Sequence, residues 1–181
     1  MSTYHHGDLR SALIQAAEEI IKEQGVDALS VRAAARRSGV SHNAPYRHFP
    51  DRESLLAELA ARGFSLLKKE LEAGSRREMG EAYVRFALAQ PELFRLMFGA
   101  RPRRERYPPL REAARETYAV LVAAFRAVPE IADPEKAAAA AWSLVHGLAQ
   151  LILDGQFQKD EAFVKSVIAA VRFAAAAQRS A

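Results

Sequence analysis

The stretch from Ser30 to Phe49 constrains the fold more than any other part of the chain, because it carries the signals of two short helices and a tight turn. Ser30 and Ser41 are N-cap candidates, since a serine hydroxyl can accept an unpaired backbone N–H of the first helical turn. Between them, Gly39 can adopt the left-handed conformation that ends a helix, and Val40 follows as an apolar contact. This pattern predicts a helix-turn-helix unit, whose second helix enters the DNA major groove.

The charge of this stretch fits a polyanionic partner. Between Ser30 and Arg52 the local balance is +4, which equals the formal net charge of the whole chain. Basic charge on a short capped helix pair is what binding to DNA phosphates needs. The alternative is an ordinary helical hairpin with a solvated basic face, but Ala35 and Gly39 are small enough to let two helices cross closely. The basic residues are Arg32, Arg36, Arg37, Arg47 and Arg52.

The composition limits the class of protein. With 181 residues, of which 50% are hydrophobic, the chain can fill the cores of one or two domains. It contains no cysteine, which excludes disulfides and thiolate zinc sites and fits a reducing cytoplasm. The uncharged stretch from Ala137 to Leu153 is shorter than the roughly 20 residues of a membrane span and contains polar residues, so it predicts a buried helix. We expect a cytoplasmic protein with no membrane partner.

Helical periodicity runs through the whole chain and predicts an all-α fold of about nine helices. Leu9, Leu13, Ala16 and Ile20 predict an amphipathic first helix that ends at Gly25. A long helix from Arg52 to Glu72 follows the helix-turn-helix stretch, and Asp133-Pro134 is a strong start signal for another. We interpret residues 1–50 as a three-helix DNA-binding domain and residues 51–181 as a helical effector-binding and dimerisation domain. The Arg101–Pro109 loop is interpreted as solvated.

The last two helices predict self-association. Both carry more apolar surface than one small domain readily covers, so the simplest partner is a second copy that completes a four-helix bundle about a two-fold axis. The expected interface residues are Leu144, Leu148, Leu151, Val164, Val167, Ile168 and Val171.

Aromatic and thioether side chains in the second half of the chain predict an apolar cavity between helices. A filled core is the alternative for each of them. His146 lies one helical turn from Trp142 and could either orient a polar ligand group or be a satisfied core residue. The expected pocket residues are Phe86, Phe94, Met97, Phe98, Tyr118, Leu121, Phe125, Trp142 and His146.

The sequence offers little support for an enzyme. It has no Gly-rich phosphate loop, no His-Glu-x-x-His motif and no cysteine nucleophile. The adjacent His5 and His6 have no third ligand at a useful spacing for a metal ion. We therefore expect no enzymatic activity, no cofactor and no metal site.

The stretch from residue 8 to residue 60 resembles the TetR family of transcriptional regulators. The resemblance rests on Ala28-Leu29-Ser30-Val31-Arg32, Ser38-Gly39-Val40-Ser41, Tyr46, His48-Phe49 and Asp51-Arg52-Glu53. The Trp142-x3-His146-Gly147 element and the opening Tyr4-His5-His6-Gly7 resemble one subgroup of that family. The resemblance implies a homodimeric repressor that binds a palindromic DNA operator and is released by a small, largely apolar effector. The alternative is an architectural or constitutive DNA-binding factor without an effector.

The resemblance also implies the DNA contacts residue by residue. Base-edge contacts fall on His42, Asn43, Ala44 and Arg47, where asparagine suits adenine and arginine suits guanine. Phosphate contacts fall on Ser30, Arg32, Ser41, Tyr46, His48 and Arg52. Pro45 replaces the large apolar residue usual before the tyrosine. Because proline is tolerated only in the first turn of a helix, Pro45 predicts a recognition helix that begins late or is distorted.

Overall fold

The computed structural model describes residues 6–40, 44–99 and 102–177, and the side chains of 9–40, 44–99 and 102–170. Over these residues the regular structure is eight α-helices and three short 3₁₀ helices, with no strand, which confirms the all-α class. The α-helices are α1 His6–Gln24, α2 Val31–Arg37, α3 Arg52–Ala73, α4 Met79–Ala89, α5 Pro91–Phe98, α6 Pro108–Arg126, α7 Pro134–Leu153 and α8 Glu161–Ala177. The 3₁₀ helices are Val26–Ala28, Ala44–Arg47 and Arg104–Arg106.

The chain forms two compact units. The first unit combines the described part of Met1–Leu66 with Glu92–Arg115, and the second combines Leu67–Pro91 with the described part of Glu116–Ala181. Helices α3 and α6 therefore each begin in the first unit and end in the second. The boundary after residue 50 concerns functional domains and stays a prediction.

In the first unit, α1 has the apolar face that its periodicity predicts. Leu13 and Ala17 are fully buried, and Ile20 is 4% exposed. On α3, Leu55 and Leu59 are also fully buried. The chain leaves α1 at Gly25, whose φ of +81° is a left-handed conformation that favours glycine. These buried side chains form the support on which the helix-turn-helix stretch rests.

Ion pairs join α1 to α3 beside this core. The guanidinium of Arg62 lies 2.6 Å from a carboxylate oxygen of Glu18, and that of Arg10 lies 2.6 Å from Glu58. Burial raises the pKa of Glu18, and the charge of Arg62 opposes this rise. Both pairs are partly exposed, so we expect each to contribute less than about 1 kcal/mol to stability.

An aromatic cluster, formed by Phe64, Phe94, Phe98 and Arg104, fills another part of the first unit. The ring of Phe98 lies 5.3 Å from that of Phe64 and 4.9 Å from that of Phe94, between centroids. The guanidinium of Arg104 lies 4.9 Å from the Phe64 ring centroid and donates a hydrogen bond of 2.9 Å to the carbonyl of Met97. The interpretation of the Arg101–Pro109 loop as solvated is therefore wrong for Arg104, which is half-buried against aromatic rings.

In the second unit, α4 packs against α7 and α8. Tyr83, Val84 and Ala87 are buried on α4, and Val145 and Ala149 are buried on α7. The buried side chains of α4 and α7 form the core of this unit, and they hold the residues of the cavity described below.

The start of α7 follows the capping signal in the sequence. The side chain of Asp133 accepts the N–H of Lys136 at 3.0 Å, and Pro134 occupies the first helical position. By length and composition alone, α7 could cross a membrane, and it is the one described helix that passes this test. Because Ala138, Val145 and Ala149 are buried within the second unit, we interpret α7 as a core helix.

Candidate DNA-binding surface and effector cavity

The first half of the helix-turn-helix stretch has the caps that the sequence predicts. The hydroxyl of Ser30 accepts the N–H of Ala33 at 3.0 Å, which fixes the start of α2. Gly39 has a φ of +69°. Its N–H donates to the carbonyl of Arg36 at 3.2 Å, and the N–H of Val40 donates to Ala35 at 3.1 Å. These bonds satisfy the last carbonyls of α2 and confirm the predicted glycine turn.

The described part of the expected recognition helix is one 3₁₀ turn, Ala44–Arg47. Ser41, His42 and Asn43, predicted to contact DNA, lie outside the described residues. Pro45 is buried early in the turn, where its missing N–H costs no helical hydrogen bond. Its carbonyl accepts the N–H of His48 at 3.0 Å and that of Phe49 at 2.9 Å. Over residues 44–47 the conformation is therefore distorted from an α-helix, in agreement with the effect expected from Pro45.

This turn separates its side chains into a buried and an exposed set. Phe49 is 3% exposed and belongs to the core, and the guanidinium of Arg10 lies 5.7 Å from its ring centroid. Tyr46 is 40% exposed, and Arg47 is also exposed. Ala44 and His48 are half-buried. The turn therefore presents Tyr46 and Arg47 to solvent while Phe49 anchors it.

The five arginines of the stretch fall into two groups. Arg32, Arg36 and Arg47 are exposed, and none of them forms an ion pair with another described residue. Arg37 is held by α1: its Nε lies 2.7 Å from Glu19, and its Nη1 and Nη2 lie 2.7 and 2.6 Å from the two oxygens of Glu23. The hydrogen bond from Arg37 holds the pKa of Glu23 below its usual range. Arg37 therefore fastens α2 to α1.

Arg52 makes a different kind of contact. Its Nε donates a hydrogen bond of 2.7 Å to the carbonyl of Leu29, and its Nη2 donates one of 2.7 Å to the carbonyl of Val26. These bonds tie the start of α3 to the segment that leads into α2. No sequence pattern indicates this role, because the acceptors are backbone carbonyls, which every residue type carries.

A cavity of about 450 Å³ lies within the second unit. Its lining residues are apolar apart from Tyr83, Arg76 and Arg77. The lining residues are Leu71, Arg76, Arg77, Met79, Gly80, Tyr83, Leu121, Phe125, Ala137, Ala140, Ala141, Leu144, Val145 and Ile168.

The predicted pocket residues are distributed over several places. Leu121 and Phe125 line the cavity. Phe94, Met97 and Phe98 belong to the first unit, where Phe94 and Phe98 are part of the aromatic cluster. Phe86 is 5% exposed in the core of α4, outside the lining.

Trp142 and His146, also predicted for the pocket, reach the cavity indirectly through Tyr83. The indole N–H of Trp142 donates to the hydroxyl oxygen of Tyr83 at 3.0 Å, and that oxygen lies 2.9 Å from Nδ1 of His146. Burial lowers the pKa of His146, which favours the neutral ring; in the tautomer protonated at Nε2, Nδ1 accepts a hydrogen bond from the Tyr83 hydroxyl. The ring of Tyr118, another predicted residue, lies 5.4 Å from that of Trp142. We call Tyr83, Trp142 and His146 the polar triad.

Small residues, which are absent from the predicted pocket set, leave room for the cavity. Ala137, Ala140 and Ala141 line it from α7, and Gly80 lines it from α4. A Cβ on Gly80 would lie 3.3 Å from side-chain atoms of Val145 and Ile168, so the glycine allows close helix packing beside the empty space. The sequence feature that could have predicted the cavity is the run of five alanines at 137–141, because methyl side chains cannot fill the space between helices.

The residues predicted for the dimer interface also differ in burial. Leu148, Val164 and Ile168 are each 5% exposed within one protomer, and Val167 is half-buried. Leu144 and Ile168 line the cavity. Leu151 is 42% exposed, and the side chain of Val171 lies outside those described. Their role in an interface stays a prediction.

Comparisons with known proteins found a family match for each half of the chain. The family profile for bacterial regulatory proteins of the tetR family matches residues 13–59, and that for the tetracyclin repressor-like C-terminal domain matches residues 76–175. No curated protein matches the chain in a sequence search.

Solved structures give the same result over nearly the whole length. A protein of unknown function from Rhodococcus sp. RHA1 is 34% identical, with a TM-score of 0.80, and the match covers 94% of this chain and 95% of that one. The flavonoid-responsive regulator FrrA is 28% identical, with a TM-score of 0.61, over 92% and 95% of the two chains. A TetR/AcrR-family transcriptional regulator from Thermobifida fusca YX-ER1 is 22% identical and shares the fold, with a TM-score of 0.65 over 89% and 94%.

The C-terminal profile covers residues 76–175 of the 181, and the N-terminal profile covers the capped turn and its basic residues. The chain therefore belongs to the TetR family of bacterial transcriptional regulators.

Proposed function

We propose that the protein is a homodimeric repressor that binds a palindromic DNA operator and releases it when a small effector occupies the cavity of the second unit. The observation that carries the proposal is the coexistence of a capped helix-turn-helix, bearing exposed and unpaired Arg32, Arg36 and Arg47, with a cavity of about 450 Å³ in the family's C-terminal domain. A DNA-binding protein of this family acts where its DNA is, which in a bacterium is the cytoplasm.

In the proposed complex, Arg47 contacts base edges together with Ala44 and with His42 and Asn43. The exposed position of Arg47 on the turn supports this role, since arginine can donate two hydrogen bonds to guanine. Arg32 contacts phosphate from the first turn of α2, and Ser30, Ser41, Tyr46 and His48 are proposed to do the same. Arg52 contributes by positioning: its bonds to Leu29 and Val26 hold α3 against the entry to α2.

The exposed face of α7 supports the proposed homodimer. Leu151 is 42% exposed, and Ala139, Ser143 and Gly147 precede it at intervals of four residues along α7. A Cβ on Gly147 would meet no atom within 4 Å, so the glycine leaves a shallow place on the helix surface. Small residues in such a row allow another helix to approach closely, and a two-fold axis would pair this face with itself.

The long helix α3 offers a route between effector and operator. Its first residue, Arg52, holds the helix-turn-helix segment, and Leu71, near its end, lines the cavity. An effector that prefers one position of α3 would shift the population of DNA-competent dimers, for which a coupling on the order of 1–3 kcal/mol is typical. The flavonoid-responsive relative supports a small-molecule effector in the same fold.

The proposal is tested by selecting DNA duplexes from a random pool with the purified protein and measuring their affinities at several salt concentrations. We expect a palindrome, and two protomers per operator by analytical ultracentrifugation. Arg47→Ala should reduce discrimination between sequences, whereas Arg32→Ala should weaken all sequences similarly and lower the salt dependence by about one phosphate contact. Arg126→Ala, on an exposed site of the second unit, is the control with the same charge change.

Two outcomes would contradict the proposal. Salt-independent or undetectable binding to every duplex would exclude the DNA-binding role. If compounds that occupy the cavity leave DNA affinity unchanged, the protein is a constitutive or architectural factor instead.

A further inference from the structure

We infer that the cavity of the second unit selects an organic anion, with an apolar or aromatic body and one acidic group. This inference rests on the proposed function, because it names the chemical class of the proposed effector. Two features of the cavity support the inference. The charged side chains in its lining are positive, and the hydroxyl of Tyr83 is already hydrogen-bonded within the protein.

All ionised side chains in the lining are positive. Arg76 and Arg77 lie on the exposed turn before α4, and neither aspartate nor glutamate is among the described lining residues. The neighbouring Glu78 turns to Ser75, accepting its N–H at 2.8 Å and its hydroxyl at 2.7 Å. These bonds, both accepted by Oε2, hold the pKa of Glu78 below its usual range, so its negative charge partly offsets the two arginines but is directed to Ser75.

The other polar group of the lining is committed within the protein. The hydroxyl of Tyr83 is bonded to Trp142 at 3.0 Å and to His146 at 2.9 Å. Its ring therefore contributes apolar surface to the cavity, and the positively charged donors of the lining are those of Arg76 and Arg77. A guanidinium can donate two parallel hydrogen bonds to a carboxylate or sulfonate, which gives orientation as well as attraction.

The apolar residues of the lining determine what kind of ligand body fits the cavity. Leu121, Phe125, Leu144, Val145 and Ile168 present aliphatic and aromatic carbon, and a volume of about 450 Å³ suits a ligand of drug-like size. Organic cations are disfavoured, because they would lie against two positive charges with no carboxylate in the lining. The geometry thus matches an amphipathic anion whose acidic group lies at the exposed turn and whose body lies between α4, α6 and α7.

Two fluorescent probes with the same body separate the charge from the apolar contact. They are 8-anilinonaphthalene-1-sulfonate, an anion, and N-phenyl-1-naphthylamine, its uncharged analogue. We expect Arg76→Gln/Arg77→Gln to weaken binding of the sulfonate about tenfold, as expected for losing charge-assisted hydrogen bonds at a partly exposed site, and to leave binding of the amine within about twofold. Arg85→Gln/Arg126→Gln removes the same charge from other exposed sites and should leave both affinities unchanged.

A third variant tests the location of both probes. Ala141→Phe fills the cavity from α7 and should weaken both probes, with circular dichroism and the unfolding midpoint confirming that each variant folds. Equal effects of the two arginine pairs on the sulfonate would overturn the inference. So would sulfonate binding that Ala141→Phe does not change.

The inference and the proposed function fail in different ways. If the sulfonate binds through Arg76 and Arg77 but operator affinity does not change, the anion site stands and the effector role is wrong. If both probes release the operator equally well, in the wild type and in the Arg76→Gln/Arg77→Gln variant, the effector site stands and anion selection is wrong.

Discussion

The aromatic cluster of the first unit and the cavity of the second unit show how differently two apolar regions of one chain can pack. Phe64, Phe94 and Phe98 interdigitate with ring centroids about 5 Å apart, and Arg104 covers the edge of the cluster. In the second unit, the alanines of α7 face α4 and leave about 450 Å³ empty. The filled region is packed by three aromatic rings in mutual contact, whereas the space available to a ligand lies beside a run of alanines.

Each region also contains a glycine that allows helices to pack closely, but the two positions differ in how well they would tolerate a larger residue. A Cβ on Gly63 would lie 2.6 Å from Sδ of Met97 and 3.1 Å from Cγ of Leu93. A Cβ on Gly80 would lie 3.3 Å from its nearest neighbours, which border the cavity. A larger residue at position 63 requires the buried side chain of Met97 to move. A larger residue at position 80 requires its neighbours to shift by only a few tenths of an ångström.

The largest expected effect is the removal of a ring from the aromatic cluster. Phe94 is fully buried, so Phe94→Ala should lower the free energy of unfolding by about 3–5 kcal/mol, measured by denaturant titration at an unchanged m-value. Phe125→Ala is the matched change beside the cavity. It should cost less than half as much, because Phe125 is partly exposed and already borders empty space. Equal losses would mean that the two regions are packed alike.

Enlarging a small residue tests the same contrast in the opposite direction. Gly63→Val should lower the free energy of unfolding by about 1–3 kcal/mol through overpacking against Met97. Ala141→Val, which adds methyl groups beside the cavity, should change it by no more than about 1 kcal/mol. Helix propensity alone predicts the reverse order, since valine is a better helix former than glycine and a poorer one than alanine. Thermal or chemical unfolding of the two variants therefore decides between packing and propensity.

Disrupting the polar triad should lower the free energy of unfolding by an intermediate amount, because the loss comes from hydrogen bonds. Tyr83→Phe removes the hydroxyl that Trp142 and His146 both contact, and should cost about 1–2 kcal/mol. It should also shift the emission of the single tryptophan. Tyr118→Phe loses one exposed bond of 3.1 Å to the carbonyl of Glu135 and should cost less. A Tyr83→Phe variant with wild-type emission and stability would show that the triad is not formed in solution.

The smallest expected effect is a pH dependence of the free energy of unfolding. It should arise from His146 of the polar triad, and the aromatic cluster should not contribute to it. Burial lowers the pKa of His146 below its ordinary value of 6.5, so the unfolded chain binds a proton before the folded protein does. The free energy of unfolding should therefore be constant above that value and fall as the pH is lowered through the window beneath it. For one proton the slope is at most about 1.4 kcal/mol per pH unit.

His146→Gln provides the comparison for this effect. Unfolding midpoints of wild type and variant, measured between pH 7 and pH 5, should diverge most at the upper end, where the wild type keeps its neutral ring. Parallel curves would assign the pH dependence to other groups.

The sequence was sufficient wherever a structural element depends on local chemistry. Ser30 and Asp133 cap their helices as their residue types predict, and Gly39 takes the left-handed conformation between α2 and the next turn. These interactions join residues within about four positions of each other, so their pattern is visible in the order of residues. Pro45 gave a similarly local signal, because the proline ring restricts its own backbone.

The sequence was insufficient wherever the partner is distant along the chain or is a backbone atom. The charge pattern did not show that Arg37 is held by glutamates of α1, or that Arg52, predicted to contact phosphate, also donates to the carbonyls of residues 26 and 29. The residues expected to surround a ligand include two phenylalanines and a methionine that belong to the first unit. Residue type alone could not separate these cases.

Order along the chain thus determined the family, the all-α class, the caps and the basic helix-turn-helix, because these follow from hydrophobic period, capping chemistry and charge. The tertiary structure decided which arginines are held by other described residues, which apolar side chains fill space, and where space is left. These outcomes depend on volumes and distances between helices far apart in sequence. The free energy of such contacts is set by packing, which no local pattern specifies.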